Sequence, residues 1–561
     1  MSSPWIRRQF SAPREDRAVL CRPSVADGSV TELVAANRAI FQADRETQLC
    51  GESLAEVRRR CRAEVLDAAR DYTEELRGVP VAAADPDAPL VVAGHQPELY
   101  HPGVWLKNFA ASKLATAAGG TALNLIVDAD LCDEQSIDLP SGDRETPRRR
   151  TIDLDQPERQ SPWEDLRIKS PDVLPAAGPE IANAMQEWGI ESIAGEFWFD
   201  PVEVNGGDCL VQHLTRLRHN RQQAWDAPLL ELPMRKLCRL SSFALFVCHV
   251  LRNIDDLQTA YNGGLATYRE LNKLRSPSHP MPSLGQVEVD GRVRFEAPLW
   301  VWRAGDGQRR PLWIEQLGCS FRLYDVRGDD HAAAECVGVI RRTDCAADAW
   351  HRLLVDLDQQ GVRIRPRALM TTLFARLCLS DLFVHGIGGA KYDEVTDYLF
   401  REFIGCDAPT FLTVSGTLKL PLPQHDVTDG DESRLRSLLW DLQHNADRHG
   451  AGRPDVIARK QTLIDEQRAA RESGERDSRA NLRRFRELKS IAQELAESAC
   501  NQSSRVEAEL ADVRRRQSAN KLLGSREFSW VLYPETLLRN WLHEASDQIV
   551  GRSVGDAART A

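Results

Sequence analysis

The sequence predicts an α/β protein built around a parallel β-sheet, and three observations support this class. Leu90 to Ala93 is a short apolar run, typical of a buried strand, and it ends at Gly94. Apolar residues at helical spacing follow from Leu106 to Ala117, and two glycines then end that helix. Leu123 to Val127 is a second apolar run. Strand, helix and strand within about 40 residues indicate a βαβ unit and therefore parallel strands.

Length, charge and cysteine usage limit the possible classes of protein. The 561 residues exceed the size at which one hydrophobic core keeps growing, so we expect several structural units. A formal net charge of −11 argues against nucleic acid as a partner, because phosphate binding relies on concentrated lysine and arginine. The 13 cysteines are scattered without a Cys-x-x-Cys pair, which favours reduced thiols. With neither a signal-like segment nor an apolar run of about 18 residues, we expect a cytoplasmic protein without a membrane partner.

Changes in composition along the chain predict six parts. The expected fold is a Rossmann-like parallel-sheet core with an inserted α+β region and a long α-helical coiled-coil segment. The parts are residues 1–88, an N-terminal helical lead-in; 89–140, the first part of the core; 141–362, the insertion or middle region; 363–428, the second part of the core; 429–523, the coiled-coil arm; and 524–561, a C-terminal segment that returns to the core. Within the middle region, Glu296 to Ile314 predicts a β-hairpin that turns at Gly305-Asp306-Gly307, and Gly263-Gly264 predicts a loop.

The helical arm predicts an assembly. Its apolar residues step by threes and fours in a narrow, coiled-coil-like seam: Phe485, Leu488, Ala492, Leu495, Ala499, Val506, Leu510 and Val513. An isolated helix with such a seam is marginal in water, so the seam needs a partner helix. We expect a homodimer through the segment between residues 455 and 520. An antiparallel hairpin that turns near Gly474 or Asn501 of the same chain is the alternative.

The strongest candidate site is the turn Gly94-His95-Gln96. A glycine directly after a buried strand allows close backbone approach, and the N-terminus of the following helix attracts anions. His95, Gln96 and His101 are therefore candidate catalytic groups, and Gly94 and Lys107 are candidate substrate-binding groups. A polar turn that only caps the helix is the structural alternative.

Two further segments carry candidate site residues. Asp128 and Asp130 follow the second strand, at the edge where open α/β sheets bind ligands, and one of them would orient an amine or act as a base. Gly386 to Gly389, after a later apolar run, predict a glycine-rich loop, and this region contributes a substrate-binding set: His385, Gly386, Gly388, Gly389 and Tyr392. Plain surface turns remain the alternative for both segments. We expect no metal site, since no zinc-ligand or zincin spacing occurs.

These segments together resemble the bacillithiol-biosynthesis cysteine-adding enzyme family. Gly94, His95 and Gln96 lie where that family has a Gly-Gln-Gln turn, and Asp128-Ala129-Asp130 resembles its Asp-His-Asp element. Residues 408–415 are similar to its proline-containing strand, and a coiled coil and a returning C-terminus follow in the same order. The chain departs from the family at His95, at Ala129 and in the position of Lys107. The resemblance covers roughly residues 90–140 and 363–545.

The resemblance implies a ligase-like enzyme that joins an amino acid, cysteine, to an amino sugar or similar amine. The substrate would be a small molecule, and a nucleotide such as ATP or ADP is the one cofactor we consider. Two alternatives remain open at this point. One is a nucleotidyltransferase-like enzyme of the HIGH-type nucleotide-binding fold, and the other is a non-catalytic coiled-coil scaffold.

Overall fold

The computed structural model describes residues 11–23, 29–133, 135–156, 160–197, 205–276, 278–318, 320–341, 347–474 and 477–551. Its strands, in chain order, are β1 (Val19–Arg22), β2 (Gln48–Leu49), β3 (Glu52–Ser53), β4 (Leu90–His95), β5 (Thr121–Ile126), β6 (Leu131–Cys132), β7 (Ser136–Ser141), β8 (Arg148–Asp153), β9 (Ser161–Pro162), β10 (Leu230–Pro233), β11 (Gln286–Val289), β12 (Arg292–Arg303), β13 (Arg310–Leu317), β14 (Ser320–Asp325), β15 (Glu335–Arg341), β16 (Val362–Pro366), β17 (Leu382–His385) and β18 (Leu412–Gly416).

The helices alternate with these strands through most of the chain and dominate its last third. They are α1 (Val30–Ala43), α2 (Leu54–Arg77), α3 (Pro102–Ala118), α4 (Val173–Gln186), α5 (Ala194–Phe197), α6 (Leu210–Ala224), α7 (Met234–Leu237), α8 (Ser241–Arg252), α9 (Ile254–Leu271), α10 (Ala347–Gln359), α11 (Ala368–Phe374), α12 (Ile387–Leu399), α13 (Asp429–His444), α14 (Pro454–Glu472), α15 (Ser478–Ser498), α16 (Cys500–Leu523) and α17 (Glu535–Val550). The prediction of a mixed α/β protein is confirmed.

The main sheet has the strand order β1-β18-β17-β4-β5-β10. The pairs β18–β17, β17–β4, β4–β5 and β5–β10 are parallel, and only β1 runs antiparallel, against β18. The predicted βαβ unit is therefore confirmed as β4, α3 and β5. Alternate residues of β4, Leu90 and Val92, join a large apolar cluster with residues of α2, α8 and α9, whereas α3 packs on β4, β5 and β18.

A second sheet is antiparallel and lies entirely within residues 286–366. Its order is β11-β12-β13-β14-β15, and β16 pairs with the distal half of β12. The hairpin predicted from Glu296 to Ile314 is confirmed as β12 and β13, with Gly305 and Gly307 at positive φ in the turn. The middle region also supplies β10 to the main sheet, so its residues belong to both sheets.

Two predictions about glycine segments are wrong. Gly263 and Gly264 lie inside α9, where a Cβ on Gly264 would come within 2.9 Å of the Tyr398 ring, so these glycines allow close helix packing instead of forming a loop. The segment from Gly386 to Gly389 is not a free loop either. Gly386 caps α12, and the next glycines form the first turn of that helix.

The chain divides into two compact units. The first comprises residues 1–139, 151–419 and 526–561, and the second comprises residues 140–150 and 420–525. Both sheets belong to the first unit. Among the described residues, no helix combines the length and the apolar character needed to cross a membrane.

The second unit packs α13, α14, α15 and α16 against one another. The turn between α14 and α15 includes Gly474, at φ +72°, and the Arg459–Glu487 ion pair at 2.8 Å indicates that these two helices are antiparallel. The buried residues of the predicted seam are covered within this unit: Leu495, Ala499, Val506, Leu510 and Val513. Phe485, the first residue of the predicted seam, is by contrast 64% exposed, whereas Ile491, which the predicted seam does not include, is buried. A coiled coil and a homodimer remain predictions.

Candidate functional site

Parallel pairing brings the carboxyl ends of five strands to one edge of the main sheet. Gly94 and His95 end β4, and His385 ends β17. Asp128 follows β5, and Arg235 follows β10. Most of the predicted site residues therefore lie along one edge, which is where open α/β sheets bind ligands.

The turn after β4 is held by a lysine from α3. Lys107 Nζ donates a hydrogen bond of 3.1 Å to the Gly94 carbonyl oxygen. Gly94 fits closely, since a Cβ there would lie 3.2 Å from the Leu125 carbonyl oxygen of β5. The lysine side chain thus connects α3 to the turn after β4, and the lack of a side chain at Gly94 lets that turn lie close to β5.

Lys107 is a buried cation without an acidic partner. Its side chain is almost inaccessible, and burial lowers the pKa of its ammonium group to about 7. None of the described carboxylates lies within ion-pair distance of its Nζ atom. The same Nζ atom lies 3.8 Å from the position that a Cβ on Gly386 would occupy, so it reaches from the β4 turn to the start of α12. An anionic ligand at this point would be stabilised by the lysine and by the N-terminus of α12.

His95 lies beside this lysine. Burial and the neighbouring Lys107 hold the pKa of its imidazole well below its usual value, so the ring is neutral at physiological pH. The ring packs edge-on against Tyr100, with centroids 5.0 Å apart, and Nδ1 is 3.4 Å from the Gln96 carbonyl oxygen. A neutral imidazole that is partly exposed can accept a proton from a bound substrate.

His101 has a structural function in the folded chain. It is the N-cap of α3, and its Nδ1 atom accepts a hydrogen bond of 3.1 Å from the Gly103 N–H. Burial and the neighbouring Arg526 and Lys107 lower the pKa of His101 to about 3. Its Nε2 atom is 3.3 Å from Arg526 Nη2. Helix capping accounts for one ring nitrogen, so His101 fits the predicted catalytic role less well than His95.

The two aspartates of the second strand end differ in their surroundings. Asp128 is wholly buried, and Arg235 contacts both of its oxygens, with Nη1 2.6 Å from Oδ2 and the backbone N–H 3.0 Å from Oδ1. Asp130 is 37% exposed; it accepts a hydrogen bond of 2.8 Å from Gln96 Nε2 and pairs with Arg309 at 2.8 Å. Asp130 is therefore the carboxylate that a ligand at the Gln96 turn could reach, whereas Asp128 anchors Arg235.

His385 belongs to a closed network of buried charges. Its Nε2 atom is 2.7 Å from Asp393 Oδ2, and Arg376 Nη1 donates to the same oxygen at 2.8 Å. Gly389 is required beneath the ring, because a Cβ there would lie 2.5 Å from His385 Nδ1. Gly388 borders open space, and Tyr392 packs against the large apolar cluster. Of this predicted set, Gly386 is the residue that lies next to Lys107.

Several arginines complete this edge, and sequence reasoning missed them. Arg218 donates to the Tyr100 hydroxyl at 3.0 Å and pairs with the buried Glu231 at 2.8 Å. Arg309 stacks on Trp300 with 4.9 Å between the guanidinium carbon and the ring centroid. Arg526, from the C-terminal segment, lies near Ser415 Oγ at 3.4 Å. Each of these arginines lies more than 100 positions along the chain from the site residue that it contacts. No local pattern in the sequence therefore indicates its role.

A cavity of about 220 Å³ lies at the opposite edge of the main sheet. Its lining comes from the amino ends of β5 and β10 and from α2, α3 and α6. None of the predicted site residues contributes to it. In the part of the chain that the structure describes, no three His, Cys, Asp or Glu side chains converge as a metal centre would require.

Neither protein-family models nor curated proteins, when compared with this chain, gave a match. The interpretation of the site therefore rests on its own residues and geometry.

Proposed function

We propose that the chain is a ligase-like enzyme that forms a carbon–nitrogen bond between an amino acid, cysteine, and an amino sugar or similar amine. The observation that carries this proposal is the buried, acid-free Lys107 at the carboxyl edge of the main sheet. A buried lysine without a carboxylate destabilises the fold, so its presence beside a partly exposed turn favours a role in binding. The proposal includes a Rossmann-like core and a reducing, cytoplasmic compartment, for which the scattered cysteines are the support.

Each residue has a defined part in this proposal. Lys107 and the backbone N–H groups of the Gly94 turn hold an anionic group of the substrate. Asp130, kept in position by Gln96 and Arg309, attracts the amine as its ammonium form. The ammonium group first loses one proton to solvent, and His95 then accepts the second proton, which the amine nitrogen loses as it attacks the acyl carbon of the amino acid. A bound nucleotide such as ATP would activate the amino-acid carboxylate, and phosphate or the nucleoside phosphate would then leave the acyl carbon as the carbon–nitrogen bond forms.

The reaction is tested directly with purified protein, cysteine and glucosaminyl-malate, with and without ATP or ADP. We expect an amide adduct detectable by mass spectrometry. Its absence under every nucleotide condition would eliminate this reaction.

Binding is tested separately from catalysis. Calorimetric titration with glucosaminyl-malate, in two buffers of different ionisation enthalpy, measures proton uptake on binding. We expect uptake at pH 8, because an anion beside Lys107 raises its pKa back towards 10.5.

The matched control lies on the same helix. Lys113 of α3 pairs with Asp547 and lies away from the turn. Lys107→Met should abolish binding and proton uptake, whereas Lys113→Met should retain both. Equal binding by the two variants would show that Lys107 is not part of the binding site.

A further inference from the structure

Two cysteines that are not part of the candidate site contact each other. Cys50 lies in the turn between β2 and β3, and Cys248 lies on α8. Their sulfur atoms are 3.2 Å apart. Cys50 is partly exposed and Cys248 is buried. The short hairpin thus presents one accessible thiol to solvent and holds it against a second, protected thiol.

The surroundings of this pair favour a thiolate. The Cys248 thiol, and then His249 and Arg252 of the same helix, lower the pKa of Cys50 to about 5 against the opposing effect of burial. The thiolate is the form that reacts with oxidants, and accessible thiols of low pKa next to a second cysteine are the ones oxidised reversibly.

A second cysteine pair in the same unit provides a contrast. Cys61 and Cys378 are also neighbours, but both are buried. The adjacent Cys61 and burial raise the pKa of Cys378 well above its usual value. Its thiol therefore stays protonated and out of reach of solvent. Proximity of two thiols is common to both pairs, whereas exposure and positive charge distinguish Cys50 and Cys248.

We propose that Cys50 and Cys248 are a reversible oxidation site that forms an intramolecular disulfide on exposure to a peroxide. The Cys50 thiolate attacks one peroxide oxygen, the O–O bond breaks, and the leaving hydroxide takes a proton from solvent. Cys50 is then a sulfenic acid. Cys248 loses its proton to solvent and attacks the Cys50 sulfur, the S–S bond forms, and the hydroxyl group leaves as water. Two thiols are oxidised and one peroxide is reduced to two waters.

The local structure allows the sulfur atoms to approach bonding distance. A disulfide needs a separation of about 2.05 Å, so the gap of 3.2 Å must close by little more than one ångström. Cys50 can supply this movement because it lies in a tight turn, at φ +53°, between strands of only two residues each. The bond would tie the hairpin that precedes α2 to the buried helix α8. This inference does not depend on the proposed ligase function.

The test treats full-length reduced protein with hydrogen peroxide, blocks the remaining thiols with N-ethylmaleimide and digests the product with trypsin without reduction. Cleavage after Arg45, Arg58, Arg239 and Arg252 releases residues 46–58 and 240–252, and each fragment contains one cysteine. We expect a disulfide-linked pair of these two fragments, which dithiothreitol separates again. The fraction of Cys50 that N-ethylmaleimide labels should fall after peroxide treatment. An unchanged fraction would overturn the proposal.

Variants assign the two steps. In Cys248→Ala we expect Cys50 to stop at the sulfenic acid and to react with dimedone, while Cys50→Ser should show neither product at this pair. Cys378→Ala is the matched control, and it should form the 46–58 to 240–252 link as the wild type does. A link between Cys50 and any cysteine other than Cys248 in the wild type would contradict the assignment.

Discussion

Charges of two kinds lie close together at the carboxyl edge of the main sheet. Around His385 the charges are matched, because Arg376 pairs with Asp393 at 2.8 Å and with Asp397 at 2.7 Å. Beside it, Lys107 is equally buried and has no acidic partner among the described residues. The matched network holds α12 against Ala375–Leu379, the helical segment directly after α11, whereas the unmatched lysine destabilises the fold. We infer that the first arrangement serves structure and the second serves binding.

The largest effect is expected where the matched charges are disrupted. Arg376→Met removes the guanidinium group that pairs with the buried Asp393 and Asp397, and we expect the free energy of unfolding to fall by about 3–5 kcal/mol. Urea denaturation measures this change. Lys391→Met, on the exposed side of α12, should stay within about 0.5 kcal/mol of the wild type. An Arg376→Met protein as stable as the control would show that the network is not structural.

The unmatched lysine should behave in the opposite way. Its pKa is depressed from 10.5 in the unfolded chain to about 7 in the folded chain, so the unfolded state binds more protons between these pH values. The free energy of unfolding attributable to Lys107 therefore rises with pH across that window, by on the order of 4 kcal/mol, and its penalty is complete below pH 7.

Lys107→Met removes this pH dependence. The difference in unfolding free energy between variant and wild type should favour the variant near pH 6 and shrink towards pH 10. Denaturation curves at several pH values measure it. A difference that does not change with pH would mean that folding does not shift the pKa of Lys107.

The two glycines of the first turn of α12 offer a finer test of the same contrast. A Cβ on Gly389 would press on the His385 ring, and Gly389→Ala should cost about 1–3 kcal/mol of stability. Gly388 faces open space in the same turn, so Gly388→Ala should stabilise the helix by about 0.5–1 kcal/mol. Thermal unfolding of both variants decides between the two signs. Equal shifts would contradict the packing of His385 on Gly389.

The smallest effect on stability is expected at the exposed face of α15. Phe485→Ser should change the unfolding free energy by no more than about 0.5 kcal/mol, because the side chain is 64% exposed. If the helical arm forms the predicted homodimer through this face, light scattering should show a dimer in the wild type and a monomer in the variant. A wild-type monomer would end the dimer prediction.

Local patterns predicted the parts of the fold that depend on neighbours in sequence. The unit from β4 to β5 could be predicted because its strands, helix and terminating glycines are contiguous. The pairing of β1 with β18 and of β10 with β5 could not, since these partners lie roughly 400 and 100 positions apart and no periodicity encodes them. The site shows the same division. Gly94, His95 and Gln96 form a contiguous motif, whereas Arg235, Arg309 and Arg526 reach the site only through the tertiary fold.

The position of β17 has a consequence for how the chain is made. This strand sits between β4 and β18, and its Leu382 pairs with Val91. During synthesis, β4 and β5 therefore emerge more than 250 residues before the strand that covers the open edge of β4. An exposed apolar strand edge invites pairing with other chains. Nascent chains that have not yet reached residue 382 should consequently be prone to aggregation. A chaperone would be needed at this stage of synthesis.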